Sequence, residues 1–164
     1  MTGALLAEPL TAAAFRSFGD VIEAGGAPDM LINEGLCGRF HDRARLDFTD
    51  GRAGLSLFDA EARSWPCRID MMERHPLGSQ TFVPLNGVAM LVTVAPDEGG
   101  RPGAPRAFLS GPGQVVNLLR ATWHGVLAPM GARGHYAVID RIGPGENLEE
   151  YRFKTPLYVE GPQP

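Results

Sequence analysis

Cysteine is scarce in this chain, and long apolar runs are absent. The two cysteines, Cys37 and Cys67, form no CxxC pair, which gives no support to a thiolate zinc site. They read as two reduced, half-buried thiols of a cytosolic protein. The longest apolar stretch, Val88 to Ala95, is far too short to span a membrane. Met1 to Leu10 is too short and too acidic to be a signal peptide. No basic stripe with interleaved aromatics is present, and the net charge is −4, so neither nucleic acid nor a membrane is the expected partner. An anionic small molecule would need a local arginine cluster, because field focusing is local.

What is present is an ordinary globular balance, with 44% hydrophobic and 21% charged residues, which excludes disorder. A length of 164 residues suits one domain with one core, and residues 1–164 are read as that single domain. Gly 21 and Pro 14 punctuate short apolar runs, the pattern of many short strands joined by turns. Thr11 predicts a cap for a short helix over Ala12 to Phe18. Strands are predicted at Val21-Ile22, Leu36 to Asp42, Gly54 to Phe58, Cys67 to His75, Gln80 to Val83 and Val88 to Ala95. Further runs follow at Ala107 to Leu109, Val115 to Leu119, Thr122 to Leu127 and Tyr136 to Ile139. Pro96 to Pro105 is a surface loop, Asn147 to Phe153 a helical turn, and the tail from Pro156 a strand edge or irregular arm. The sum is an all-β sandwich or jelly-roll barrel with a short N-terminal helix.

The chemistry concentrates between Cys67 and Gln80. At period two, Ile69, Met71, Glu73 and His75 share one strand face, and Asp70, Met72 and Arg74 share the other. The first face begins apolar and ends in two ionisable groups, as a strand does when it runs from a barrel interior to a pocket mouth. Glu73-x-His75, then Gln80, then Gly87 resembles the first cupin motif in spacing, and His124 holds the position of the last histidine of the second. Histidine, carboxylate and amide side chains on one inner face suit a divalent metal such as Ni, Mn, Fe or Zn. Without a metal, Glu73, His75 and His124 can still carry protons.

Longer strings resemble a narrower family. Phe15 to Ile22, Asn33 to Leu36, Arg39-Phe-His-Asp42, Glu73 to Pro84, Trp123-His124 and Ile139-Asp-Arg141 are similar, in order, to the ureidoglycolate lyases. The resemblance implies a cupin-type jelly roll, a cytoplasmic homodimer, and cleavage of ureidoglycolate to glyoxylate and urea during allantoin and purine breakdown, with nickel or another divalent ion linked to the family. Where that family usually carries Tyr-His and His-Pro around the second motif, this chain has Leu118-Leu119 and Gly125-Val126. Such chemistry needs a base for the hydroxyl proton, an acid for the departing nitrogen and cations for the carboxylate. His124 or Glu73 is assigned as base and His75 as acid. Gln80 and Asn117 are assigned to the ureido group. Arg39, Arg120 and Arg141 are assigned to the carboxylate, with His41 beside Arg39. Glu73, His75, Gln80 and His124 would hold a metal if one binds. The rival readings are a non-catalytic cupin binding a small organic acid, and another cupin enzyme such as an isomerase or a metal-dependent oxygenase.

Overall fold

The computed structural model describes residues 4–162. Fourteen strands and one helix follow in chain order: β1 (Leu5–Pro9), α1 (Ala12–Phe15), β2 (Gly19–Ile22), β3 (Met30–Ile32), β4 (Cys37–Arg39), β5 (Arg52–Ala60), β6 (Cys67–Arg74), β7 (Gln80–Pro84), β8 (Met90–Ala95), β9 (Arg106–Leu109), β10 (Val115–Leu118), β11 (Trp123–Gly125), β12 (Ala128–Pro129), β13 (Gly134–Ile142) and β14 (Glu149–Glu160). One sheet runs β11-β6-β14-β1-β9-β8-β12, and β11 also pairs with β8, so its first six strands close into a barrel. A second sheet runs β2-β10-β7-β13-β5, and β3 with β4 forms a separate two-stranded arm. This is the mostly β, cupin-type jelly roll expected.

Strand β8 explains the layering. All six of its residues are buried, as a strand covered on both faces requires. Leu91 packs with Ala7, Cys67, Ile69, Ala107 and Val159. Val92 and Val94 pack instead with Phe15, Phe82, Phe108, Val116 and Val138, which joins the two sheets. A third cluster, Met72, Ala95 and Trp123, backs the end of β6.

Several expected elements differ. Thr11 caps α1 as predicted, its hydroxyl accepting from the Ala14 N–H at 3.2 Å, but the helix ends at Phe15. Residues expected as a helical turn near 147–153 instead open β14, a strand of 12 residues paired with β6. Tyr151 and Phe153 alternate toward Trp123, and the alternation breaks where the register shifts between Arg152 and Leu157. Strand β1 was not expected. It is short and lies parallel between β14 and β9, a pairing that local sequence does not announce. The strand expected over Leu36 to Asp42 stops at Arg39, and Asp42 takes φ of 47°, so Arg39 and His41 do not share a strand face. Both cysteines are free, with Cys37 exposed and Cys67 buried.

Candidate active site

Three expected residues meet. Strand β11 pairs antiparallel with β6 so that His124 lies directly opposite Glu73. His75 follows the last residue of β6. Glu73, His75 and His124 each offer one ligand atom, and these atoms lie within 4.8 Å of one another. The His124 Nε2 is 3.6 Å from Glu73 Oε1, and the two imidazole rings are 5.3 Å apart between centroids.

Backbone carbonyls set the tautomers. The Asn147 carbonyl lies 2.7 Å from His75 Nδ1, and the Thr122 carbonyl 2.9 Å from His124 Nδ1. A carbonyl can only accept, so each Nδ1 carries a hydrogen and each neutral ring keeps its lone pair on Nε2. Both Nε2 atoms are buried and have no hydrogen-bond partner among the described residues. When His124 also carries a hydrogen on Nε2, that imidazole holds the Glu73 carboxyl below the usual carboxylate range, with His75 helping and partial burial opposing. Two lone pairs and a carboxylate thus converge. That donor set fits a divalent cation, with the Nδ1–carbonyl contacts orienting the rings as an outer shell does.

A clasp on the other side of the sheet fixes this arrangement. Arg74 sits between Glu73 and His75, and Trp123 precedes His124. The Arg74 guanidinium stacks 4.6 Å from the Trp123 ring centroid. Asp97 Oδ1 accepts from Arg74 Nη1 at 2.8 Å and from Trp123 Nε1 at 2.9 Å, and Glu149 accepts from Arg74 Nε at 2.6 Å. Arg74 therefore lies off the site face, as strand parity predicts, but against protein rather than open water. Met72 beside it is fully buried.

The remaining expected residues divide. Gln80 is buried, in register between Leu118 and Asp140. Its amide nitrogen donates to Asp140 Oδ2 at 3.4 Å, and its Oε1 has no partner among the described residues. Asn117 is not free for a ligand: its amide oxygen accepts from Thr81, and its nitrogen donates to Asp20 and to the Arg45 carbonyl. Arg120 is paired with Asp47 at 2.7 Å. Arg141 is buried and donates to the carbonyls of Thr49, Asp50 and Pro144, which makes it a clamp on the chain around it. Arg39 is exposed on β4, and His41 is exposed with its N–H held by Asp29. Among the described residues, neither Arg39 nor His41 makes a hydrogen bond or ion pair with the three site residues. Sequence reasoning missed Asn147, Thr122, Trp123 and Asp97. Two of them act through backbone carbonyls, which no side-chain pattern signals.

A search of family models matches residues 2–160 to the ureidoglycolate lyases. A protein from Rhodobacter capsulatus described as a ureidoglycolate lyase is 65% identical over 158 residues, 96% of this chain and 98% of its own length. Ureidoglycolate lyases from Chelativorans sp. and Rhizobium meliloti are 47% and 49% identical, covering 97% and 93% of this chain and 98% and 94% of their own lengths. With this coverage, and with the site strings in place, the chain belongs to the ureidoglycolate lyase family.

Proposed function

We propose that this protein cleaves ureidoglycolate to glyoxylate and urea at Glu73, His75 and His124. The observation that carries the reading is the pair of buried Nε2 atoms, unpartnered among the described residues, converging beside a carboxylate. The substrate holds a hydroxyl, a carboxylate and a ureido nitrogen on one carbon. His124 Nε2 takes the hydroxyl proton as the C–O bond becomes a carbonyl. The C–N electron pair leaves with the nitrogen, which gains a proton from His75 in its imidazolium form. One proton leaves the substrate and one returns, and no water is consumed. Glu73, 3.6 Å from His124, stabilises the imidazolium that forms there. Gln80 offers an acceptor oxygen for a ureido N–H. If a divalent ion were held by Glu73, His75 and His124, it would occupy the same two Nε2 atoms and supply polarisation of the hydroxyl oxygen in place of their proton transfers.

The same reading makes the protein a cytoplasmic homodimer acting in allantoin breakdown, built as one domain. Two sheets that share one core cluster support the single domain. Among the described residues, no helix is long and apolar enough to cross a membrane. The carboxylate of the substrate still needs a cation, and Arg39 is the assigned arginine whose side chain has no hydrogen-bond partner among the described residues.

His124→Ala tests the assignment. Glyoxylate release falls by at least about 100-fold, while circular dichroism and thermal melting stay close to wild type. Undiminished turnover in a folded variant would remove His124 from the mechanism.

A further inference from the structure

The three site residues are not held in the same way. Glu73 and His124 sit opposite each other within the β6–β11 ladder, which fixes both. His75 lies beyond that support. Strand β6 ends at Arg74, whose ladder partner is Glu149, and Pro76 brings no N–H to continue a sheet. The His75 carbonyl accepts from the Ala121 N–H at 2.9 Å, which holds its backbone. The ring is held by a different segment, residues 143–148, which join β13 to β14. Asn147 in that segment makes two part-buried contacts. Its carbonyl accepts from His75 Nδ1 at 2.7 Å, and its side-chain Oδ1 accepts from the Leu77 N–H, also at 2.7 Å. Two further contacts seat the segment. Arg141 donates to the Pro144 carbonyl at 3.0 Å. Gly145, at a φ of 87°, comes so close to Leu77 that a Cβ there would lie 3.0 Å from Leu77 Cδ1.

We propose that Asn147 is a positioning residue for His75: its side chain anchors to the Leu77 N–H and so aims its own carbonyl at Nδ1, which selects the ring nitrogen that meets the substrate. The proposal rests on the function proposed above. A carbonyl can only accept, so Nδ1 keeps its hydrogen in the neutral ring and in the imidazolium alike. The proton that leaves the imidazolium is therefore the one on Nε2, the buried nitrogen with no hydrogen-bond partner among the described residues. After the transfer the ring is left as the Nδ1–H tautomer, with its contact to Asn147 intact. Without the Oδ1 anchor, residue 147 is free to turn its carbonyl away, and the ring is free to take the Nε2–H form. That neutral form has no lone pair on Nε2, so the next proton goes to the wrong nitrogen. An acceptor oxygen at this reach is what the anchor needs; Asp also has one and Ala does not. Asn147 itself touches no reacting atom, since its contacts go to His75 Nδ1 and to Leu77.

The test reads the tautomer directly. Long-range proton–nitrogen NMR spectra of the full chain separate Nδ1–H from Nε2–H rings, and only 4 histidines need assignment. The protein is treated with EDTA and held at about pH 8.5, above the ordinary imidazole value. Wild type and Asn147→Asp, which keeps the acceptor oxygen, should both show His75 as Nδ1–H. Asn147→Ala should show a mixture at His75, with His124 unchanged on its Thr122 carbonyl. In Asn147→Ala, kcat should fall about tenfold while KM changes by less than about twofold, and Asn147→Asp should recover most of the loss. A His75 that stays Nδ1–H in Asn147→Ala, or a mixed tautomer with undiminished kcat, overturns the proposal. Wild type alone supplies a second measurement, a nuclear Overhauser contact between the His75 Nδ1–H and Asn147. A wild-type His75 with no hydrogen on Nδ1 overturns the proposal even where Asn147→Ala does not fold. Wild type that releases no glyoxylate overturns the function proposed above, and the spectra still decide the hold of Asn147 on His75, because they do not depend on turnover.

Discussion

Arg74 touches none of the reacting positions, yet its loss should be felt there. In Arg74→Met the aliphatic stem is kept and packing against Trp123 largely survives. What goes is the cation over the indole, 4.6 Å from its centroid, and the two hydrogen-bonded ion pairs to Asp97 and Glu149. Both carboxylates are nearly half exposed and rehydrate cheaply. The stacking contributes about 1 kcal/mol, and the two solvent-screened pairs add little. A loss of about 1 kcal/mol lowers Tm by roughly 3 °C for a domain of this size. The larger effect is positional. Glu73 and His75 flank Arg74, and His124 follows Trp123, so loosening the clasp lets the three groups drift against one another. Displacement on the ångström scale costs about 100-fold in rate, and a part of that gives a kcat reduced about tenfold. KM should change less, because Arg74 does not contact substrate. Arg74→Lys, which keeps the charge but lacks the planar fork, should fall between. Thermal melting and steady-state kinetics on the same preparations measure both effects. A lowered Tm with undiminished kcat would show that the clasp stabilises the fold without positioning the site.

Asp20 gives a pH signature separate from catalysis. Burial pushes its carboxyl up, but the Arg45 N–H, the Asn117 amide and the Arg45 guanidinium outweigh it and hold the group below its ordinary range. A depressed folded-state pKa contributes stability that is present above the ordinary carboxylate value and lost as pH falls through the folded value. Asp20→Asn should therefore cost about 2 kcal/mol at neutral pH, and the gap to wild type should close in acid. Denaturant titrations at two pH values measure it, and a gap that is independent of pH would refute the reasoning. Arg141→Met leaves the carbonyls of Thr49, Asp50 and Pro144 without their donor. It should destabilise by about 3 kcal/mol with KM little changed, and a raised KM at unchanged stability would return Arg141 to substrate binding.

The central constellation was legible because two local rules agreed on it. Period two places Glu73 and His75 on one face, and Pro76 ends the strand there. The motif spacing then selects His124, which β11 sets directly opposite Glu73. The arginines were not legible for a reason of distance. Arg120 and Arg141 find their partners at Asp47 and Thr49, on a segment that returns to them from far back in the chain. From the sequence these are free cations, and in the fold they are committed. Asn117 misleads in the same way, since a buried amide reads as a ligand contact until Thr81, Asp20 and Arg45 are found around it. The fold class followed from short apolar runs between Gly and Pro turns. Strands β1 and β14 escaped because one is held by parallel, long-range pairing and the other changes register midway.

Product identity tests the central claim most directly. Purified protein given racemic ureidoglycolate should release glyoxylate and intact urea in equal amounts, with both reduced at least about 100-fold in the His124→Ala variant. Ammonia and carbon dioxide in place of urea would make the protein a hydrolase of the same substrate. Binding seen as a thermal shift, with no product at all, would contradict the account and leave a carrier of small acids.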